Sequence, residues 1–260
     1  MAEYQRVIQL AGALNFRDLG GYVNQHGQTV SWGKIYRAAD LSLLTQSDRD
    51  KLSWLQIKHD VDLRSTSEQE RNPDRLWSGA KLTKNPIYPE QGNTPALFGT
   101  PSIWWRKVHH IPEAANGFAQ IYQNVILNKH AKQAFATTFK ILLQNEPTVF
   151  HCSAGKDRTG MTAALVLLAL EVPEETIIAD YLLTNELFGF GTGNVPEDEA
   201  EIERLVSRMN LQTGEAEVMQ TVIETINVGY GGIANYWQDA LGLKLDQFQK
   251  LRKLYLVDDN

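Results

Sequence analysis

The residues best equipped for chemistry lie between positions 151 and 160. They read His151-Cys152-Ser153-Ala154-Gly155-Lys156-Asp157-Arg158-Thr159-Gly160. The chain's one cysteine opens the stretch, and an arginine follows six positions later. A tight loop of small residues between them can turn its backbone N–H groups inward as an anion nest. A helix starting near Arg158 adds unpaired amide donors and the positive end of its dipole. The guanidinium can fork two hydrogen bonds onto phosphoryl oxygens. The same field favours the thiolate of Cys152, and a thiolate aimed at a bound phosphorus is an activated nucleophile. Thr159 can offer its hydroxyl to the sulfur. A bare Cys-x5-Arg pair often arises by chance; the whole string is far more specific. A merely structural cysteine fits poorly, because Cys152 is not embedded in an apolar run.

Elements on both sides must hold such a loop. Thr148-Val149-Phe150 reads as a short buried strand running into it. Thr159–Leu170 reads as the helix leaving it, ended by Val172-Pro173. Upstream, Val30–Tyr36 reads as a strand interrupted near Gly33, with Asn24–Gly27 as the preceding turn. Thr45 or Ser47 caps a helix to about Ile57, with Leu44, Leu52 and Leu55 on one face. Val61-Asp62-Leu63 is a short strand leading into Arg64-Ser65. A helix is expected over 121–144, and others near 174–187, 197–210, 214–227, 233–241 and 245–254. Helices and short strands alternate through the first two-thirds, and a helical part follows. That pattern predicts an α/β fold, with a mainly parallel central sheet flanked by helices, in one domain spanning 1–260. The stretch 85–118 stands apart. It holds five of the nine prolines and the pair Trp104-Trp105, the composition of a functional loop or lid. His109-His110 has no third ligand at helical spacing to complete a metal site.

Composition narrows the choices. The 260 residues are 43% hydrophobic and 22% charged, which excludes a disordered chain. A net charge of −6 and a pI near 5.6 argue against nucleic-acid binding, so a positive field for an anion must be local. One cysteine can form neither an intrachain disulfide nor a multi-cysteine zinc site. Met1–Leu10 carries Glu3 and Arg6 without an apolar core, so no secretory leader is expected there. The longest apolar run, Met161–Leu170, has ten residues, about half a membrane span. No integral membrane association is expected, and a cytoplasmic location is.

The string HCSAGKDRTG resembles the signature of cysteine-dependent protein tyrosine phosphatases. In its extended form it is similar to the bacterial and fungal tyrosine and lipid phosphatase family that includes mycobacterial protein tyrosine phosphatase B. Asn15-Phe16-Arg17-Asp18-Leu19-Gly20-Gly21, Tyr36-Arg37-Ala38-Ala39-Asp40-Leu41, Asp62-Leu63-Arg64-Ser65 with Glu68, and Asp180-Tyr181-Leu182-Leu183-Thr184-Asn185 resemble further motifs of that family, in order. The likeness runs from about residue 8 to 255. No specific match is seen in 85–118 or 187–230, where a lid or substrate-selecting element is expected. The resemblance implies the cysteine-dependent phosphatase fold and two-step phosphoryl transfer. Cys152 attacks phosphorus, and water then hydrolyses the phosphocysteine. Arg158 and the amides of residues 153–158 stabilise the equatorial oxygens, so no metal or other cofactor is required. The expected ligands of the phosphoryl group, or of inorganic phosphate or another oxyanion in the loop, are Ser153, Ala154, Gly155, Lys156 and Thr159. Arg64 and Arg17 are further candidates, while Arg37 and Asp18 read as braces. The chain has no Trp-Pro-Asp loop to supply a general acid, and the resemblance points to Asp157 ahead of Asp62, Asp180 and Asp18. His151 is expected to bond backbone and orient the loop.

The expected substrate is a phosphotyrosine monoester on a protein, with phosphoserine or phosphothreonine as additional possibilities. The alternative is a phosphoinositide, whose extra phosphates Lys156 would attract. Arsenate reduction commonly recruits further cysteines, which this chain lacks. Sulfur transfer does not require the Arg-Thr-Gly helix start. A non-catalytic phosphate-binding module would be expected to have lost the cysteine.

Overall fold

A computed structural model describes residues 5–88, 103–188 and 209–258. In chain order the strands are β1 (Arg17–Asp18), β2 (Gln28–Val30), β3 (Ile35–Ala38), β4 (His59–Asp62), β5 (Lys81–Lys84), β6 (Thr148–His151) and β7 (Leu256–Asp258). The helices are α1 (Gln46–Trp54), α2 (Thr66–Arg71), α3 (Ile103–Val108), α4 (Gly117–Leu127), α5 (Lys129–Leu142), α6 (Asp157–Ala169), α7 (Glu174–Leu182), α8 (Thr184–Phe188), α9 (Ala216–Tyr230) and α10 (Leu245–Tyr255). A turn of helix at Ile233–Asn235 runs on as a π-helix at Tyr236–Ala240.

Five strands form the central sheet in the order β1-β3-β6-β4-β5. Only the β1–β3 pair is antiparallel; the other three pairings are parallel. This is the mainly parallel α/β fold expected from the sequence. The short strand β6 is central, flanked by β3 and β4. Its side chains alternate between the two faces. Phe150 joins the core under α4, α5, α6 and α9, while Val149 joins a second core with Leu52, Ile57 and Trp77. Both faces of β6 are thus buried, so the loop at its carboxyl end sits on a fixed base. Ligands in open α/β sheets bind at this edge. β2 and β7 pair separately as an antiparallel ribbon.

Local signals explain most boundaries. Thr45 and Asp48 form a reciprocal capping box that starts α1, as expected. The interruption near Gly33 is real, with φ +74° there between β2 and β3. The single helix expected over 121–144 is two helices. Asn128 is extended, and its side chain accepts from the amides of His130 and Ala131, so it both ends α4 and caps α5. Ser65 and Glu68 make a second capping box, starting α2, which the sequence reading did not mark as a helix.

The two stretches expected to form lids divide differently. The ends of 85–118 are anchored. The Asn85 amide donates to the Ala134 carbonyl (2.8 Å), and Ile87 and Tyr88 are buried. The Trp104 and Trp105 side chains lie outside the described residues, as does most of the helix expected over 197–210. Within 187–230, α9 is a core helix: Val218, Met219, Val222, Ile223 and Ile226 are all buried. Among the described residues, no helix is long and apolar enough to cross a membrane.

Candidate active site

The loop between β6 and α6 is held by its carbonyls. Ser153 O accepts from the Asp40 amide at 3.1 Å. Ala154 O accepts from Asn15 Nδ2 at 3.1 Å. Gly155 O accepts from Asn15 Nδ2 at 3.1 Å and Arg37 Nη2 at 2.7 Å. A planar trans peptide points its N–H opposite its C=O. Anchoring three successive carbonyls on the scaffold therefore turns the Ala154, Gly155 and Lys156 amides toward the opposite side. An anion nest of the kind the spacing predicts needs amides so directed.

Gly155 is what permits the close approach. Its φ is +67°, and a Cβ there would lie 2.5 Å from the Ala38 carbonyl oxygen. Gly155→Ala should cost about 1–3 kcal/mol of stability and at least tenfold in kcat, because backbone on both sides would have to move. Thermal unfolding and initial rates check this; wild-type values for both would mean the loop does not depend on that contact.

Cys152 is fully buried at the loop's entrance. Arg158, in the first turn of α6, is also buried. Its Nη1 and Nη2 donate to the two carboxylate oxygens of Glu68, at 2.5 and 3.1 Å. Nη2 also lies 3.2 Å from Ser153 Oγ, which itself donates to Glu68. Burial alone would raise the Glu68 carboxyl; the Arg158 charge and the bonds from Arg158, Ser153 and Ser65 hold it well below the usual range. Tyr88 lies with its ring centre 5.1 Å from the guanidinium carbon, within cation–π range. Glu68 thus orients the arginine from α2. The sequence reading quoted Glu68 in a motif but gave it no role.

Other expected ligands face elsewhere. Arg64 donates to both Asp62 oxygens (2.9 and 2.7 Å), to Asp40 and Asp74 (2.8 Å each) and to the Asn72 carbonyl (3.0 Å). Arg17 donates to the Asp180 side chain (3.0 Å), the Asp180 carbonyl (2.7 Å), Thr184 Oγ1 (3.3 Å) and Asn15. Both are buried braces rather than substrate ligands, because carboxylates and carbonyls already engage their donors. Arg37 braces as expected, spanning Asp180 and the loop. Asp18 accepts from the Gly20 and Gly33 amides at 2.7 Å each. Lys156 is buried too, and it does not reach out for further anions. Its ammonium donates to the carbonyls of Met209 and Gln212 and lies 3.4 Å from Asp157 Oδ1. Thr159 Oγ1 is buried with no hydrogen-bond partner among the described residues, so the expected bond to the Cys152 sulfur is not made.

His151 does not orient the loop through backbone bonds. Its Nε2 lies 3.1 Å from Asp74 and 3.2 Å from Asp60. Burial opposes its charge, but Asp62, Asp74 and Asp60 together push the imidazole well above its ordinary value. Asp60, Asp74 and His151 present ligand atoms within 4.8 Å of one another.

A buried cysteine at the entrance of a loop whose carbonyls are anchored on the scaffold, with an arginine oriented by a glutamate far off in sequence, fits a cysteine-dependent phosphatase. The chain belongs to the tyrosine phosphatase family, whose model matches residues 8–257. It is 28% identical over 254 residues to a putative tyrosine-protein phosphatase of Cupriavidus necator, covering 94% of this chain and 86% of that one. It is 27% identical to the triple specificity protein phosphatase PtpB of Mycobacterium tuberculosis, covering 96% and 99%. A tyrosine-protein phosphatase of Nostoc commune is 31% identical over 57% of this chain and 47% of its own. The protein is therefore an enzyme, a phosphoric monoester hydrolase of the tyrosine phosphatase class.

Proposed function

We propose that the enzyme hydrolyses phosphotyrosine in proteins through a phosphocysteine. The outward anchoring of three successive loop carbonyls, which frees their opposed amides for a phosphoryl group, carries this reading. The Cys152 thiolate attacks phosphorus, the P–O bond to the aryl group breaks, and the proton on Asp157 goes to the leaving oxygen. Water then attacks the phosphocysteine, the P–S bond breaks, and the Asp157 carboxylate takes up the water's proton. Negative charge on the equatorial oxygens meets the amides of residues 153–158 and the Arg158 guanidinium, held ready by Glu68. Thr159 Oγ1 is a free donor for the sulfur or the phosphoryl group.

The assignment of the acid rests on what the other candidates are doing. Asp62 chelates Arg64, and Asp180 bridges Arg17 and Arg37. Burial would raise both, yet neighbouring charges and hydrogen bonds hold them below the usual carboxylate range, so neither carries a proton near neutrality. Burial pushes Asp18 up to about 6, but both its oxygens are tied to backbone amides. Asp157 heads α6 at the end of the loop.

A phosphoprotein is favoured over a phosphoinositide because Lys156, the loop's own lysine, is spent on main-chain carbonyls. A cytoplasmic setting suits the single free cysteine. The test is phosphate release from a phosphotyrosine peptide, a phosphoserine peptide and soluble phosphoinositides under reducing conditions. The phosphotyrosine peptide should give the highest kcat/KM. Preference for a phosphoinositide would overturn the substrate, and no turnover of any of them would overturn the reading.

A further inference from the structure

We propose that Tyr122 is a positioning residue for the general acid: its hydroxyl fixes Asp157 so that the transferable proton sits on Oδ2. The inference rests on the reading of Asp157 as the acid.

The geometry is specific. Tyr122 comes from α4, far from the loop in sequence, and its hydroxyl donates to Asp157 Oδ1. Lys156 Nζ lies 3.4 Å from the same oxygen. Oδ2 accepts no bond from any described residue. A hydroxyl donor on Oδ1, with the Lys156 ammonium nearest the same oxygen, leaves Oδ2 to carry the proton. The Tyr122 hydroxyl lies 3.0 Å from that of Tyr181, and the two rings meet edge to face at 6.3 Å. Both tyrosines are buried. Burial, with the Asp157 charge close by, raises both phenols far above their ordinary value, so Tyr122 remains a donor.

The holder is closed from outside by residues 209–215. Lys156 ties the carbonyls of Met209 and Gln212. Asn185 exchanges two bonds with the Gly214 backbone, at 2.9 and 2.7 Å. Gly214 lies so close to Tyr181 that a Cβ would sit 2.9 Å from its ring. The hydroxyl chain from Tyr181 through Tyr122 to Asp157 is therefore clamped at its outer end. The one rotatable oxygen pair it controls is that of Asp157.

Chemistry follows from the position. A hydrogen bond donated to a carboxylate favours its ionised form. Protonation help matters for a leaving group near pKa 10 and little for one near 7. Tyr122→Phe keeps the ring and removes only the hydroxyl. It should lower kcat/KM about tenfold for phenyl phosphate and less than about twofold for p-nitrophenyl phosphate. Tyr181→Phe, which touches only the Tyr122 hydroxyl, should show the same pattern more weakly.

The comparison variant is Asp157→Asn, which should lose about 10²–10³-fold on phenyl phosphate and much less on p-nitrophenyl phosphate. If Asp157→Asn shows that pattern and Tyr122→Phe lowers both substrates equally, Tyr122 only packs, and this inference is overturned alone. If Asp157→Asn shows no leaving-group dependence, the acid assignment falls, and the inference with it.

Discussion

Replacing Cys152 with serine should lower turnover of every phosphomonoester by about 10⁴-fold or more and leave phosphate binding within a few-fold of wild type. The first half follows from chemistry: a serine hydroxyl near neutral pH is a far poorer nucleophile than a thiolate. The second half follows from how the loop is built. Its carbonyls are held by the Asp40 amide, Asn15 and Arg37, and its arginine by Glu68. None of these contacts uses the sulfur. The nest and the guanidinium should therefore survive the substitution. Initial rates on an aryl phosphate, with titration calorimetry of inorganic phosphate, measure the two halves separately. Turnover within about 100-fold of wild type would move the nucleophile elsewhere. Loss of turnover together with binding would mean that the thiol shapes the loop.

What was legible in the sequence was what lies contiguous in it. The proposed nucleophile, nest, arginine and acid all fall within one string, and the strand and helix around them follow from local patterning. What was not legible depends on pairings that only the topology makes. Glu68 meets Arg158 across 90 positions and Tyr122 meets Asp157 across 35. An arginine just past a strand end looks the same in sequence whether it faces a ligand or an acid. Arg64 faces four polar partners because β4, the segment after β3 and the segment after α2 bring it Asp62, Asp40, and Asn72 with Asp74, respectively. Lys156 misled for the same reason, since residues 209–212 are what neutralise its donors. The break at Asn128 was hidden because apolar spacing continues through it; the cap is a matter of one side chain.

The supports also account for an acidic protein that binds an anion. The net charge is −6, yet two successive layers of ionic contacts lie behind the loop. Glu68 holds the arginine proposed to meet the phosphoryl group, and Asp180 gathers Arg37, which holds the loop's backbone at Gly155, and Arg17, which bonds Asn15 behind it. The positive field is thus delivered by oriented amides and one guanidinium, while the rest of the basic charge near the loop is internally compensated.

Removing the second of these layers should have the largest structural effect. Asp180→Ala should cost about 3–5 kcal/mol, because it leaves Arg17 and Arg37 buried without their shared carboxylate. Both side chains are fully buried, and Asp180 accepts from Arg17 Nε at 3.0 Å and from Arg37 Nη1. Even with Asp180 present, burial and the Arg17 charge pull Arg37 down to about 10. Without it, two like charges face each other in a site with little water. The loss should also depend on pH. Burial would raise Asp180, but the two arginines hold it far below its usual value. A carboxyl depressed by folding stabilises fully above its unfolded pKa of about 3.9 and loses that contribution as pH falls toward the lower folded value. The gap between wild type and Asp180→Ala should be constant from about pH 8 to 5 and narrow below about pH 4. Urea unfolding at a series of pH values measures it. A gap under about 1 kcal/mol at pH 7 would mean that water reaches the arginines and that Asp180 is not what holds Arg37 against the loop.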